Sequence, residues 1–99
     1  MLIVSGIIEI APEGVEAARA AATVMMQETR KEKGCQVYEF SQLVEAPNRF
    51  RVYEEWDDWE CLKAHGAAPH MADFREALAE AGVVSRDVFT ISGGTKRSL

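Results

Sequence analysis

The sequence predicts an α+β domain in which helices gather on one face of a mainly antiparallel four-stranded sheet. Three observations predict it. Apolar residues alternate with period two over 2–10, 35–44 and 50–56, they recur at helical spacing in stretches between these segments, and glycine, proline and asparagine punctuate the joins. The 99 residues suffice for one domain with a modest core, since a chain this short buries about 60 to 65% of its unfolded surface.

The first strand places Leu2, Val4, Ile8 and Ile10 on one face and Ile3, Ser5, Ile7 and Glu9 on the other, so its second face is also fairly apolar. Ala11-Pro12-Glu13-Gly14 supplies a turn and a helix start, proline being tolerated in a first helical turn. From Val15 the residues Ala18, Ala22, Met25, Met26 and Thr29 form a helical stripe, and Gly34 is the expected stop. Residues 35 to 44 alternate again, with Tyr38 and Phe40 on one face and Val37 and Leu43 on the other. Ala46-Pro47-Asn48 reads as the turn of a hairpin whose second strand is Phe50 to Trp56. Asp57, with Glu60 three residues on, reads as a capping-box variant starting a short helix that ends at Gly66. Pro69 fits the first position of a further helix, with the stripe Met71, Phe74, Leu78 and Ala81 and a stop at Gly82. Val83 to Ile91 forms the last strand. Residues 1–92 thus make one ferredoxin-like domain, followed by a flexible tail, 93–99. Because the strands carry apolar side chains on both faces, a second copy is expected to pack sheet to sheet over the uncovered one, giving a dimeric α+β barrel.

Composition narrows the function. Eleven Lys and Arg against 16 Asp and Glu give a net charge of −5, and no basic cluster exceeds two residues, which argues against nucleic acid as a partner. No apolar run reaches the roughly 18 residues of a membrane span, and the opening MLIVSGIIEI reads as a strand without a charged leader, so a cytoplasmic protein without a membrane partner is expected. Cys35 and Cys61 are too few for a disulfide framework and too far apart for a CxxC pair.

The stretch AHGAAPHMADF, residues 64–74, holds both histidines of the chain. Positions five apart on an unbroken helix differ by roughly 140°, and Gly66 with Pro69 breaks this one. No HExxH, cysteine cluster or third ligand accompanies the pair, so no metal site is expected. His65 falls in the last turn of one helix, where exposed carbonyls favour imidazolium. His70 falls in the first turn of the next, where free N–H groups disfavour it. By that polarity His65 is the better proton acceptor and His70 a neutral hydrogen-bonding neighbour, although either could simply cap or pack at its helix end. The aromatics Tyr38, Phe40, Tyr53, Trp56, Trp59, Phe74 and Phe89 suit a core as well as a pocket wall. The run Glu54-Glu55, Asp57-Asp58 reads as strand-end solvation and helix capping.

The stretch YEEWDDWECLKAHGAAPHMADF resembles the antibiotic biosynthesis monooxygenase family, with its aromatic-rich strand ending in an acidic-x-Trp or Tyr pattern and its Leu-x-x-His-x-x-x-x-His segment. It is most similar to the bacterial quinol monooxygenases, and EKGCQVYEF matches the family's acid-x-Gly-Cys-x-x-Tyr lead into the second strand. The resemblance implies a homodimer whose subunits each oxidise a phenol, hydroquinone or similar small aromatic, with molecular oxygen as co-substrate and no metal, flavin or other cofactor. Carried over by position, it implies His65 as the base or phenolate partner, Tyr38, Trp56 and Phe74 as walls, and Tyr53 and His70 as further substrate-binding polar groups. Haem-degrading relatives need a histidine in the last helix and an asparagine in the first strand, where this sequence has Arg75 and Ile7. Isomerases of a phosphorylated autoinducer carry a similar His-x-x-x-x-Pro-His segment and remain open as an alternative. They call for basic residues at the pocket mouth, with Arg51, Lys63 and Arg75 as candidates. A non-catalytic binding dimer is the third possibility.

Overall fold

The computed structural model describes residues 1–99. Strand β1 (Leu2–Ile10) leads through a single 3₁₀ turn at Pro12–Gly14 into α1 (Val15–Thr29). The hairpin β2 (Cys35–Leu43) and β3 (Ala46–Trp56) follows, then α2 (Trp59–Gly66), α3 (Pro69–Ala81) and β4 (Val83–Ser92). The strands lie in the order β2-β3-β1-β4, every neighbouring pair antiparallel, and this is the ferredoxin-like arrangement. No helix is long and apolar enough to cross a membrane.

Burial alternates without a break along β1. Leu2, Val4, Ile8 and Ile10 face the helices, and Ile3, Ile7 and Glu9 face the opposite side. The core lies between that face and α1 and α3. One part gathers Leu2, Val4, Ala22, Met25, Tyr38, Trp56 and Phe74, and the other Ile8, Ile10, Ala18, Phe50 and Ala81. Small residues on α1 let it lie close to its neighbours. At Gly14 the approach is so tight that any Cβ would run into the carbonyl oxygen of Ala81 at the end of α3.

Three local expectations are corrected. Helix α1 stops at Thr29 rather than at Gly34. Its last turn tightens through bonds from Lys31 N–H to the Glu28 carbonyl and from Glu32 N–H to the Thr29 carbonyl, which leaves residues 30–34 as a connecting loop. The hairpin turns at Val44-Glu45, not at Ala46-Pro47-Asn48. The Pro47 and Asn48 region lies in β3 at a register shift between Gln42 and Leu43, so its turn chemistry produces a bulge. Asp58, not Asp57, caps α2, its carboxylate accepting from Cys61 N–H at 2.9 Å. The expected starts and stops at Gly66, Pro69 and Gly82 are observed.

The face of the sheet away from the helices is uncovered. Ile3, Ile7, Tyr53, Phe89 and Ile91 lie on it among Ser5, Arg51, Glu55 and Asp87, with Phe89 and Ile91 exposed on β4. The tail beyond Ser92 has no regular structure, although Lys96 reaches back to Glu55 at 3.1 Å.

Candidate active site

Helix α2 delivers His65 in its last turn, and α3 delivers His70 as its second residue. Between them the chain bends at Ala67-Ala68, and Ala68 N–H donates to the His65 carbonyl. The break expected at Gly66 and Pro69 is present, and it brings the two rings to one point. His65 Nδ1 and His70 Nε2 each lie 2.7 Å from the same oxygen, Glu32 Oε2. A carboxylate oxygen accepts only, so both ring nitrogens carry their protons toward it. Glu32 comes from the loop between α1 and β2. Gly34 holds that loop against α2: its φ of 80° suits glycine, and a Cβ there would meet the Cys61 sulfur.

With Nδ1 protonated, the neutral His65 ring keeps its lone pair on Nε2, an atom that is buried and has no hydrogen-bond partner. The ring itself is 2% exposed and packed between aromatics, with the Trp56 centroid at 4.9 Å and the Tyr38 centroid at 5.4 Å. Its orientation is therefore fixed twice, by Glu32 on one side and by ring packing on the others.

His65 lines a cleft of about 820 Å³ between α2, α3 and the sheet. The walls are mainly apolar, including Val4, Tyr38, Phe40, Leu62, Phe74 and Val88. Glu54 joins them as the second titratable group of the interior. It is buried and accepts from Trp56 Nε1 at 2.8 Å. Burial pushes its carboxyl above the ordinary range, partly offset by that hydrogen bond and by nearby His65. Burial, with Glu54 and Glu32 close by, raises the Tyr38 hydroxyl far above its ordinary value, so Tyr38 is a neutral phenol at any physiological pH. His65 lines the cleft, and its buried Nε2 is the ring atom left with a free lone pair. Lys63, Arg75 and Arg86 add positive charge to the walls, Arg75 also donating to the Gly66 carbonyl at 3.1 Å.

The residues singled out in the sequence are thus divided. His65, Tyr38 and Phe74 share the cleft. Trp56 does not wall it: fully buried, it stands behind His65 and Glu54 as their support. His70 lies off the cleft, in a separate groove with Val24 and Asp73, and meets the site through Glu32 and through the His65 ring, whose centroid is 6.2 Å away. Tyr53 is on the opposite sheet face, its hydroxyl donating to Glu55 at 2.8 Å. Arg51 is on that face too, bonded to Ser5 Oγ. Glu54 and Glu55, read as solvated, are both buried. The residue missed outright is Glu32. Its one mark in the sequence is to be the acid of the acid-x-Gly-Cys-x-x-Tyr run.

Fold and cleft together define a small ferredoxin-like protein with a buried, carboxylate-oriented histidine facing an apolar cleft. The chain belongs to the antibiotic biosynthesis monooxygenase family, whose sequence profile matches residues 1–77. The protein named "Putative monooxygenase YcnE" from Bacillus subtilis (strain 168) is 28% identical over 74 residues, covering 75% of this chain and 78% of that protein. Among solved structures, a putative antibiotic biosynthesis monooxygenase from Deinococcus radiodurans superposes with a TM-score of 0.92 at 25% identity, covering 100% of this chain and 98% of that one. Rv0793 from Mycobacterium tuberculosis shares the fold, with a TM-score of 0.88 at 22% identity and 98% of both chains covered.

Proposed function

We propose that the protein is a cofactor-independent monooxygenase acting on a phenol, a hydroquinone or a similar small electron-rich aromatic. The observation that carries this reading is the Glu32–His65 pair, which leaves an unpartnered ring nitrogen on a histidine that lines a mainly apolar cleft. Nε2 takes the phenolic proton, and the imidazolium formed is stabilised by Glu32 on its far side. The phenolate ring is then electron-rich enough to reduce oxygen directly. For a hydroquinone, one oxygen atom replaces a ring hydrogen to give the hydroxyquinone and the other leaves as water. The substrate supplies all four electrons, so no outside reductant is required. The apolar walls exclude water from the reactive intermediates.

Oxygen uptake with hydroquinone substrates tests this. His65→Ala is expected to abolish uptake while the circular dichroism spectrum is retained, and unchanged turnover would overturn the assignment. A second copy covering the open sheet face completes the reading, with Ile3, Ile7, Phe89 and Ile91 as its apolar contacts; a monomeric mass at micromolar concentration would end that part.

One observation favours the isomerase alternative. Lys63, Arg75 and Arg86 put three cations on the cleft of a protein whose net charge is −5, and cations there suit a phosphorylated carbonyl substrate. Competitive binding by a small phosphate ester, with no oxygen uptake from any phenol, would move the assignment to that class.

A further inference from the structure

We propose that Glu32 Oε2, His65 Nδ1 and His70 Nε2 form a binding site for a divalent ion of the zinc class, and that the bound ion switches His65 off as a base. The first half stands on geometry, and the second rests on the role of His65 given above. The three ligand atoms lie within 4.8 Å of one another, with both nitrogen–oxygen separations at 2.7 Å. Zinc takes histidine nitrogen and carboxylate oxygen at about 2.0 to 2.2 Å in tetrahedral geometry, so ligands sharing one ion stand roughly 3.4 Å apart. Each nitrogen–oxygen pair must open by roughly 0.7 Å to admit the ion, a movement open to Glu32 in its loop and to the partly exposed His70. Two imidazoles and one carboxylate form a donor set that zinc proteins use with a fourth position left to water.

The position of the site separates it from the reaction chamber. His70 and Glu32 are absent from the cleft walls, and their side chains are 22% and 17% exposed on the outer side of His65. An ion enters from that side and meets Nδ1, never the substrate. A neutral imidazole has one N–H. When the ion takes the Nδ1 lone pair, the proton formerly held toward Glu32 moves to Nε2, and His70 likewise moves its proton from Nε2 to Nδ1. No net proton is gained or lost. The cleft atom Nε2 is thereby converted from acceptor to donor and has no lone pair for a phenolic proton.

The test is calorimetric titration of metal-stripped protein with Zn²⁺, repeated with Co²⁺ to read its visible absorption. One equivalent is expected to bind, and Glu32→Gln and His70→Ala are each expected to weaken binding by more than about tenfold, the loss seen even for outer-shell partners. Should either variant fail to fold, His70→Asn, at the more exposed histidine, takes its place. Absence of stoichiometric binding, or equal binding by wild type and variants, overturns the site. Zinc is then expected to suppress oxygen uptake with a hydroquinone and EDTA to restore it. Uptake that persists with zinc bound overturns the switch alone. Zinc binding without uptake under any condition overturns the monooxygenase reading and leaves the metal site standing.

Discussion

Glu54 and Glu55 are neighbours in the sequence, both are buried, and they face opposite sides of one sheet. On the helix side, Glu54 is desolvated with one indole N–H for company, and its carboxyl is pushed up. On the open side, Glu55 accepts from the Tyr53 hydroxyl and from Lys96 and is pushed down. The same side chain is thus steered toward the neutral acid on one face and held as the anion on the other. The difference lies in what each face offers: the helix face supplies apolar walls and few donors, while the open face supplies polar partners at the sheet surface. That contrast separates the half of the molecule that holds the cleft from the half that leaves a sheet face uncovered.

The contrast is broken most severely by Trp56→Ala, which removes the indole supporting both His65 and Glu54. A loss of about 3 to 5 kcal/mol is expected for a buried aromatic, read by urea denaturation. Glu32→Gln comes next. It leaves His65 without its anionic partner, and oxygen uptake should fall by about 10²-fold or more, the scale of general-base catalysis, with little change in the denaturation midpoint. Tyr53→Phe acts on the other face. It should cost about 1 kcal/mol, the worth of one hydrogen bond, and leave turnover unchanged. It should also make stability less sensitive to acid. Glu55, held low by Tyr53 and Lys96, stabilises the fold above its ordinary range and loses that contribution as pH falls through its folded value. Glu54→Gln is the smallest change and carries the opposite sign. A carboxyl raised by burial makes the folded state lose stability as pH rises from the ordinary glutamate range through the folded value. Glutamine still accepts from Trp56 and has no charge to bury, so the variant should gain stability at neutral pH and lose that slope. A neutral-pH melting temperature below wild type would contradict it.

Much of the scaffold is legible in the sequence because it is local. The alternation of Leu2, Val4, Ile8 and Ile10 fixes a strand and its buried face, and Pro69, Phe74, Leu78 and Gly82 fix a helix from start to stop. The end of α1 was not legible, because Gly34 serves the loop beside Cys61 and the helix closes earlier through its own tightened turn. The candidate site divides in the same way. His65 and its helix-end environment can be read along the chain, but its orienting carboxylate is 33 residues away, and charge in a run such as Arg30-Lys31-Glu32-Lys33 resembles an ordinary solvated link. The break between the histidines was legible at Gly66 and Pro69, but that it brings both rings to one carboxylate was not, because that carboxylate comes from the distant loop.

The loop origin of Glu32 has a consequence in time as well as in space. Loops open far more often than the strands they connect, so residues 30–34 are where local opening would first reach the site while the sheet stays folded. Each such opening would release His65 Nδ1 and His70 Nε2 from Glu32. The fraction of folded molecules in which the two histidines meet Glu32 would then be set by the local opening equilibrium of residues 30–34. Amide exchange across those residues would measure that fraction directly.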